Sequence, residues 1–393
     1  MTDSFDTSYF DRRATALPGQ WLYLVEGGGV VYSEITNRFA GLDAGGVYAY
    51  LAFDDGASVQ DLRQFDRETS SPASIDGLET IYALTQGRFP GEEHEQEWPV
   101  LDDTSLPDLR THTGTSRRKT IDIAGIPALL EFPAGELESL CEDYFQNCPP
   151  ATQPPHCYIS ARYGDKGWAV HVNGREFLSL KSPGQLGLGL MHAARAIIYA
   201  EGAYDVAFHA AAVAHLNSAV LLCAPRESGK STLTAYLVAH GFDLLSDEPA
   251  FLQLDIGAVS GFSHPISLKE GSWRPLKDEL SQFSLGPIHM RSDGTRIRLA
   301  HAPSERRATG ARKLTHIVFP QYEPSANAQI EALSPLQALA LLNEGGLLLA
   351  NGIGRDGFER FLSLLVRTPA HRISYDTLDA AWRLLGEASC NLP

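Results

Sequence analysis

The segment Ala219-Val-Leu-Leu-Cys-Ala-Pro-Arg-Glu-Ser-Gly-Lys-Ser231 decides the fold of the second half of the chain. Its first five residues form a short apolar run, which is typical of a strand buried in a parallel sheet. Its last eight, Ala224–Ser231, match the phosphate-binding template G-x-x-x-x-G-K-[ST], with Ala224 in place of the first glycine. The segment Ser231–His240 is then predicted to form a helix that ends at Gly241. This order of strand, loop and helix is the context in which the motif binds phosphate, so we predict a nucleotide site here.

Each matching position of this loop has a physical role. Gly229 lets the backbone approach the phosphates closely, and successive amide groups at the start of a helix attract anions. Lys230 is expected to contact the terminal phosphates of ATP, and Ser231 to offer its hydroxyl to Mg²⁺. The predicted nucleotide-binding residues are nine consecutive positions: Ala224, Pro225, Arg226, Glu227, Ser228, Gly229, Lys230, Ser231 and Thr232.

Two adjacent acids follow the next predicted strand, Phe242–Ser246. Strands joined by a helix in this way place their carboxyl ends at one edge of the sheet, so Asp247 and Glu248 are expected to face the loop. One acid can hold Mg²⁺ together with Ser231, and the other can accept a proton from an attacking hydroxyl group. His209, which precedes the apolar run, is expected to hydrogen-bond to Asp247 and tune its basicity.

Three regions can be distinguished along the 393 residues, a length that suggests two or three domains. Residues 1–90 contain a predicted hairpin, Trp21–Val25 with Val30–Ser33, followed by three helices, which together make a small winged-helix-like domain. Residues 91–119 form an acidic linker. Residues 120–393 are predicted to form an α/β domain around the phosphate-binding loop, so the fold class is α+β and multidomain.

Other elements of the last region are predicted from their length and apolar periodicity. Ile121–Phe132 is predicted to be one strand, and Leu186–Ala200 a mostly apolar helix with His192 in the core. Tyr322 and Tyr375 are interpreted as packing or surface residues.

The composition is that of an ordinary folded protein with an acidic balance. Hydrophobic residues make up 44% of the chain and charged residues 20%, and the formal net charge is −16. Because nucleic-acid binding depends on the neutralisation of phosphates by Lys and Arg, this charge argues against a nucleic-acid partner. The longest apolar runs are shorter than a membrane span, so no membrane partner is expected. Five cysteines without zinc spacing or a preceding secretory signal favour a cytoplasmic protein with reduced thiols.

The order of His209, Ala224–Ser231, Asp247 and Glu248 resembles the HPr kinase/phosphorylase superfamily, whose members phosphorylate a protein serine with ATP. The spacing of these elements fits the family pattern, and the similarity covers roughly residues 205–300. It implies an α/β P-loop kinase domain of the HPr kinase type. By position, Asp247 matches the acid that takes the substrate proton, Glu248 the metal-associated acid, and His209 the histidine that supports the base.

The chain also resembles the divergent HPr-kinase-related proteins that occur with peptide-modification systems, through the segment Ile266-Ser-Leu-Lys269. In this segment, Lys269 is a candidate contact for a phosphate. Separately, one arginine of the basic stretch Arg291, Arg296 and Arg298 is expected to clamp the transferring charge, with Arg296 as the named candidate. The N-terminal region resembles a PqqD-like peptide-recognition domain, through Val30–Leu42 and Ala57–Leu62. Such domains bind a leader peptide by adding a strand to the exposed edge of a hairpin.

These patterns predict an ATP- and Mg²⁺-dependent kinase that transfers the γ-phosphate to a Ser or Thr hydroxyl of a peptide or protein. Its predicted catalytic residues are Asp247, His209 and Lys230, and its predicted metal ligands are Ser231 and Glu248. A leader segment would deliver the acceptor, and the hexameric archetype implies assembly into homo-oligomers. Two alternatives stay open: a small-molecule kinase of the same fold, and a nucleotide-responsive binding protein without transfer activity.

Overall fold

The computed structural model describes residues 9–69, 77–90, 116–164, 166–225, 228–291, 293–325 and 327–388. It shows a mixed α/β protein with several separate sheets. No helix in these ranges is long and apolar enough to cross a membrane. The predicted acidic linker lies outside the described residues except for its last four, which begin a strand.

The N-terminal region forms a four-stranded antiparallel sheet with three helices. The predicted hairpin is confirmed as the two central strands, and each of them has a further strand on its outer side. The strands are β1 (Asp11–Ala14), β2 (Gln20–Val25), β3 (Gly28–Ser33) and β4 (Arg38–Asp43), and the helices are α1 (Ala44–Asp54), α2 (Val59–Thr69) and α3 (Leu78–Thr85).

The edges of the predicted hairpin are therefore already paired by the protein's own strands. β1 pairs with β2 along its whole length, and β4 does the same with β3. The expectation that a peptide adds to an exposed edge of this hairpin is wrong, because no such edge exists. Among the described residues, the free edges of this sheet belong to β1 and β4.

The next region is a five-stranded sheet with two helices against it. Its elements are β5 (Ser116–Ile123), β6 (Ile126–Pro133), α4 (Glu138–Phe145), β7 (Cys157–Gly164), β8 (Gly167–Val172), β9 (Arg175–Ser179) and α5 (Leu186–Glu201). The single strand predicted over 121–132 is a hairpin instead, because Ala124 and Gly125 adopt φ values of 55° and 94° and turn the chain. The predicted apolar helix is confirmed as α5, but His192 on it is exposed rather than in the core.

The remaining elements surround the phosphate-binding loop. The strands are β10 (Val206–Phe208), β11 (Ala210–His215), β12 (Ser218–Cys223), β13 (Asp243–Ser246), β14 (Ala250–Gln253), β15 (Ala258–Gly261), β16 (Ile266–Lys269), β17 (Ser284–Met290), β18 (Arg296–His301), β19 (Arg312–Tyr322), β20 (Gln329–Ala332), β21 (Leu347–Leu349) and β22 (Ala370–Tyr375). The helices are α6 (Lys230–Ala239), α7 (Glu270–Trp273), α8 (Pro335–Gly345), α9 (Gly354–Arg367) and α10 (Leu378–Ala388). β16, β17 and β18 form a three-stranded sheet, and the others form a ten-stranded sheet.

The pairing of the ten-stranded sheet brings several strand ends to one edge. β12 runs antiparallel to β11 and parallel to β19, and β19 runs parallel to β22. β13 runs antiparallel to β11 and so has the direction of β12. The carboxyl ends of β12, β13, β19 and β22 therefore lie at one edge, together with the amino end of β11. The predicted order of strand, loop, helix and strand is confirmed, with β11 between the two strands that α6 connects.

The N-terminal sheet shares a hydrophobic core with α9. Phe358 of α9 is fully buried, and its ring stacks on that of Tyr32 with the centroids 4.1 Å apart. The ring of Tyr23 lies 5.6 Å from the same phenylalanine. Beside it, Arg12 of β1 donates a hydrogen bond of 2.8 Å to Glu359. The N-terminal region is therefore packed onto the part of the chain that carries the loop.

Replacement of Phe358 by alanine is expected to lower the free energy of unfolding by about 3–5 kcal/mol, the usual cost of removing a buried aromatic ring. The N-terminal region should become more sensitive to limited proteolysis, because this ring joins it to α9. Leu364→Ala on the same helix removes a partly buried side chain and is the matched control. Its loss in the free energy of unfolding, measured by thermal unfolding, is expected to be smaller. Equal losses of unfolding free energy in the two variants would show that the Phe358 ring does not join the N-terminal region to α9.

Candidate functional site

The phosphate-binding loop connects β12 to α6 at the edge where the strand ends meet. Gly229 has a φ of +87°, a left-handed conformation that favours glycine. A Cβ atom at Gly229 would lie 3.8 Å from both Tyr322 Cβ and the Tyr375 hydroxyl oxygen. Lys230 is the first residue of α6, so the free amide groups of the first helical turn lie at this edge. Gly229 and the start of α6 therefore have the backbone geometry that the predicted anion site requires.

The other residues of the loop support this arrangement. The hydroxyl of Ser228 donates to the carbonyl oxygen of Pro225 over 2.8 Å. Ala224 is buried, as its small side chain allows. The hydroxyl oxygen of Thr232 lies 2.6 Å from that of Ser272 in α7. Two of the predicted loop residues lie outside the described ranges: Arg226 and Glu227.

Lys230 is buried and reaches across the edge of the sheet. Its Nζ donates to the carbonyl oxygen of His209 over 2.9 Å and lies 3.7 Å from Glu248 Oε2. His209 is itself fixed by a 2.9 Å hydrogen bond from its amide to the carbonyl oxygen of Gly346. Because an ammonium group has three donors, these contacts orient Lys230 and still leave capacity for a phosphate.

Asp247 directly follows β13 and is only 3% exposed. Its Oδ2 accepts hydrogen bonds from the Ser231 hydroxyl at 3.1 Å and from the Ser267 amide of β16 at 3.0 Å. Its Oδ1 is buried and has no hydrogen-bond partner within the described ranges. A buried carboxylate oxygen without a partner is costly, so this atom indicates a position prepared for a cation or a hydroxyl proton.

Glu248 turns away from Asp247 toward a histidine and two cationic side chains, those of Arg195 and Lys230. Its Oε1 lies 2.8 Å from His209 Nδ1 and 3.2 Å from Arg195 Nη1. Burial opposes ionisation of this carboxyl, but the charge of Arg195, the hydrogen bond with His209 and the charge of Lys230 outweigh it. The pKa of Glu248 is therefore held well below its usual value. The group stays ionised throughout the physiological range.

Two further residues enter the site from parts of the sequence that carry no recognised motif. Arg195 in α5 donates to the Glu248 carbonyl oxygen at 3.1 Å and lies 3.2 Å from His264 Nε2. His264 is buried between the carbonyl oxygens of Glu248 and Pro265, and burial is the main reason that its pKa is lowered. The sequence does carry a signal for Arg195, because this residue is charged and lies within an otherwise apolar helical segment. His264 has no comparable signal.

The partners of the two acids differ from those that the sequence predicts. The sequence predicts a hydrogen bond from His209 to Asp247, but His209 Nδ1 contacts Glu248 instead. It also pairs Ser231 with Glu248 at a metal, whereas the Ser231 hydroxyl donates to Asp247. The reason is that successive side chains at the end of a strand point in opposite directions. Asp247 points toward β16, and Glu248 points toward α5.

The cations predicted to contact the transferring phosphate lie on the three-stranded sheet. Lys269 ends β16, two residues after Ser267, whose amide reaches the first acid. Arg296 begins β18 and forms an ion pair of 2.7 Å with Glu270. Of the two, Lys269 therefore lies on the strand that contacts the site, and Arg296 is engaged in a surface ion pair.

The oxygen atoms at this edge fit Mg²⁺. No group of three or more His, Cys, Asp or Glu side chains that could hold a metal occurs in the described part of the chain. Mg²⁺ in phosphotransfer sites takes one or two protein oxygens and completes its shell with phosphate oxygens and water. The Ser231 hydroxyl and the Oδ1 of Asp247, which has no hydrogen-bond partner among the described residues, are oxygens of this kind.

No protein-family model matches the chain, and no curated protein matches it significantly. The site is therefore described by its geometry: the predicted phosphate-binding loop lies at the same sheet edge as Asp247, Glu248 and His209.

Proposed function

We propose that the chain is an ATP- and Mg²⁺-dependent kinase that transfers the γ-phosphate to a Ser or Thr hydroxyl of a peptide or protein. The observation that carries this proposal is the convergence of Lys230, Ser231, Asp247, Glu248 and His209 at one edge of the sheet. Phosphoryl transfer is catalysed mainly by positioning and by stabilisation of negative charge. This set of residues supplies both.

The contacts favour a different assignment of roles from the one that the sequence suggests, with Asp247 at the metal and Glu248 as the partner of His209. Asp247, bonded to the Ser231 hydroxyl, would hold Mg²⁺ together with it. Bound Mg²⁺ would neutralise charge on the phosphate oxygens. Ionised Glu248 accepts from His209 Nδ1 and so fixes the imidazole tautomer that has a free acceptor at Nε2.

In this mechanism the acceptor oxygen attacks the γ-phosphorus, the bond to the β,γ-bridging oxygen breaks, and ADP leaves. The acceptor proton passes to His209 Nε2. Lys230, held by the His209 carbonyl oxygen, lies beside the developing charge of the transferring group. Asp247 would thus hold the metal, while His209, fixed by the neighbouring Glu248, would take the proton.

The nature of the acceptor follows from the resemblance to kinases of peptide-modification systems. A peptide delivered through the N-terminal sheet would add to β1, whose four residues are all exposed, or to β4. The alternative, a small-molecule acceptor, would make no use of these edges.

The test is transfer from γ-labelled ATP, with short peptides encoded beside the gene, small hydroxyl compounds and buffer alone as parallel arms. A labelled peptide that disappears in Lys230→Met supports the proposal, and Lys277→Met, an exposed lysine outside the site, is the control. Label only in a small compound favours the small-molecule kinase. Binding of ATP without labelled product in any arm contradicts a kinase and favours a nucleotide-responsive binding protein.

Arg195→Met is expected to slow the transfer step by roughly tenfold to a hundredfold, since hydrogen bonds to a charged group are worth about 1.5–3 kcal/mol each. The variant removes the partner that holds both the carboxylate and the carbonyl oxygen of Glu248. Arg195→Lys keeps the charge but not the forked geometry, so a smaller loss is expected. Single-turnover rates at saturating ATP measure the effect, and wild-type rates in Arg195→Met would exclude a contribution of Arg195 to phosphotransfer.

A further inference from the structure

The phosphate-binding loop has two different sides. On one side of β12 lie β11 and β13, which bring His209 and the two acids. On the other side lie β19 and β22, whose carboxyl ends reach the same edge. Neighbouring strands are about 4.8 Å apart, so β19 and β22 run roughly 5 and 10 Å to the side of β12. β19 also continues four residues past Val318, the partner of Leu222 in β12, and its last residue is level with that of β22. A triphosphate that presents its terminal phosphate to the acids therefore extends its nucleoside toward β19 and β22.

Each of these two strands ends on a tyrosine. Tyr322 is the last residue of β19 and is 52% exposed, whereas Tyr375 is the last residue of β22 and is 1% exposed. Their ring centroids are 6.1 Å apart, and the rings are inclined at 58°. The amide of Glu323 donates to the Tyr375 carbonyl oxygen over 3.0 Å and ties the strand ends together. The outer tyrosine is therefore an exposed aromatic surface on a rigid support.

Both tyrosines also lie against the loop itself. The position of a Cβ at Gly229 is 3.8 Å from an atom of each of them. The atom of Tyr375 at this distance is its hydroxyl oxygen, although the residue as a whole is buried. Buried tyrosines usually use this group in a hydrogen bond. A hydroxyl group beside the loop is therefore available to a ligand that the loop holds.

We propose that Tyr322 and Tyr375 form the nucleoside subsite, with the ring of Tyr322 stacked on the base and the Tyr375 hydroxyl bonded to the sugar or the α-phosphate. This inference rests on the proposed function and adds to it the site of the base. Every base has a π face, so a stacking surface distinguishes nucleotides from inorganic polyphosphate rather than one purine from another. The subsite is therefore expected to accept ATP and GTP.

The test compares the binding of Mg-ATP, Mg-GTP and Mg-tripolyphosphate by calorimetry. Tyr322→Ala is expected to raise the Kd for both nucleotides roughly tenfold to a hundredfold, which is the loss expected for one base–aromatic stack. The Kd for tripolyphosphate should stay unchanged. Tyr322→Trp retains a stacking surface and should restore nucleotide binding. Tyr163→Ala removes a tyrosine that is 71% exposed on β7 and is the matched control.

Unchanged nucleotide affinity in Tyr322→Ala would overturn the inference. Equal weakening of nucleotide and tripolyphosphate would overturn it too, because that result reports damage to the loop. Lys230→Met separates this inference from the proposed function. This variant should weaken the binding of all three ligands, whether or not Tyr322 contributes to nucleotide binding. A wild-type protein that binds none of them would overturn the proposed function together with the subsite.

Discussion

Asp247→Asn is expected to slow phosphotransfer by at least about a thousandfold while nucleotide binding persists, a loss typical of removing a group that stabilises charge in the transition state. The variant has nearly the same shape. Its amide oxygen can still accept hydrogen bonds from the Ser231 hydroxyl and the Ser267 amide. Its amide nitrogen then replaces Oδ1, the buried atom that has no partner within the described part of the chain. A nitrogen donor there can neither bind a cation nor accept a proton.

The control for this variant is Asp243→Asn, at the start of β13, the strand that precedes Asp247. Its carboxylate is partly exposed and forms a 3.6 Å ion pair with Arg306, so its loss is expected to change the rate little. Nucleotide binding and single-turnover transfer are measured for both variants. Transfer by Asp247→Asn at the wild-type rate would remove Asp247 from the mechanism, whereas loss of nucleotide binding would point to damage of the loop.

The part of the fold around the loop can be predicted because its signals are local. An apolar run long enough for one buried strand precedes the loop, and Gly229 supplies the left-handed conformation that the loop requires. Gly241, also with a positive φ, ends the helix that follows. The position of Asp247 at the next strand end depends only on the length of that helix and strand. Each of these features is set within about 30 residues.

The rest of the site depends on pairings between distant parts of the chain, which no local pattern records. Arg195 reaches Glu248 across 53 positions of sequence, and the Ser267 amide reaches Asp247 across 20. His209 contacts Glu248 rather than Asp247 because the two acidic side chains point in opposite directions at the strand end. Tyr322 becomes a neighbour of the loop only because β19 pairs in parallel with β12. Apolar periodicity cannot distinguish such a residue from an ordinary surface tyrosine.

Asp143→Ala is expected to cause a loss of about 3–5 kcal/mol in the free energy of unfolding, because it removes the partner of two buried polar groups. Asp143 in α4 is buried, and its two carboxylate oxygens lie 2.7 Å from His289 Nε2 and 2.8 Å from His301 Nε2. These histidines belong to β17 and β18. The carboxylate thus joins α4 to the sheet that supplies Ser267 to the site, so the variant should weaken nucleotide binding as well.

This loss of stability is expected to depend on pH. Burial raises the pKa of Asp143, but the hydrogen bonds from His289 and His301 outweigh it, so the net pKa lies below the usual value. A carboxyl whose pKa is lower in the folded state contributes its full stability above the unfolded pKa of about 4, and loses it as the pH falls through the folded value. Urea unfolding should therefore show the largest difference between wild type and Asp143→Ala near neutral pH and a smaller one in acid. Glu142→Ala, a less buried neighbour on α4, is the control, with an expected change below about 1 kcal/mol. A difference that stays constant from neutral pH into the acid range would show that the carboxylate charge does not join α4 to the three-stranded sheet.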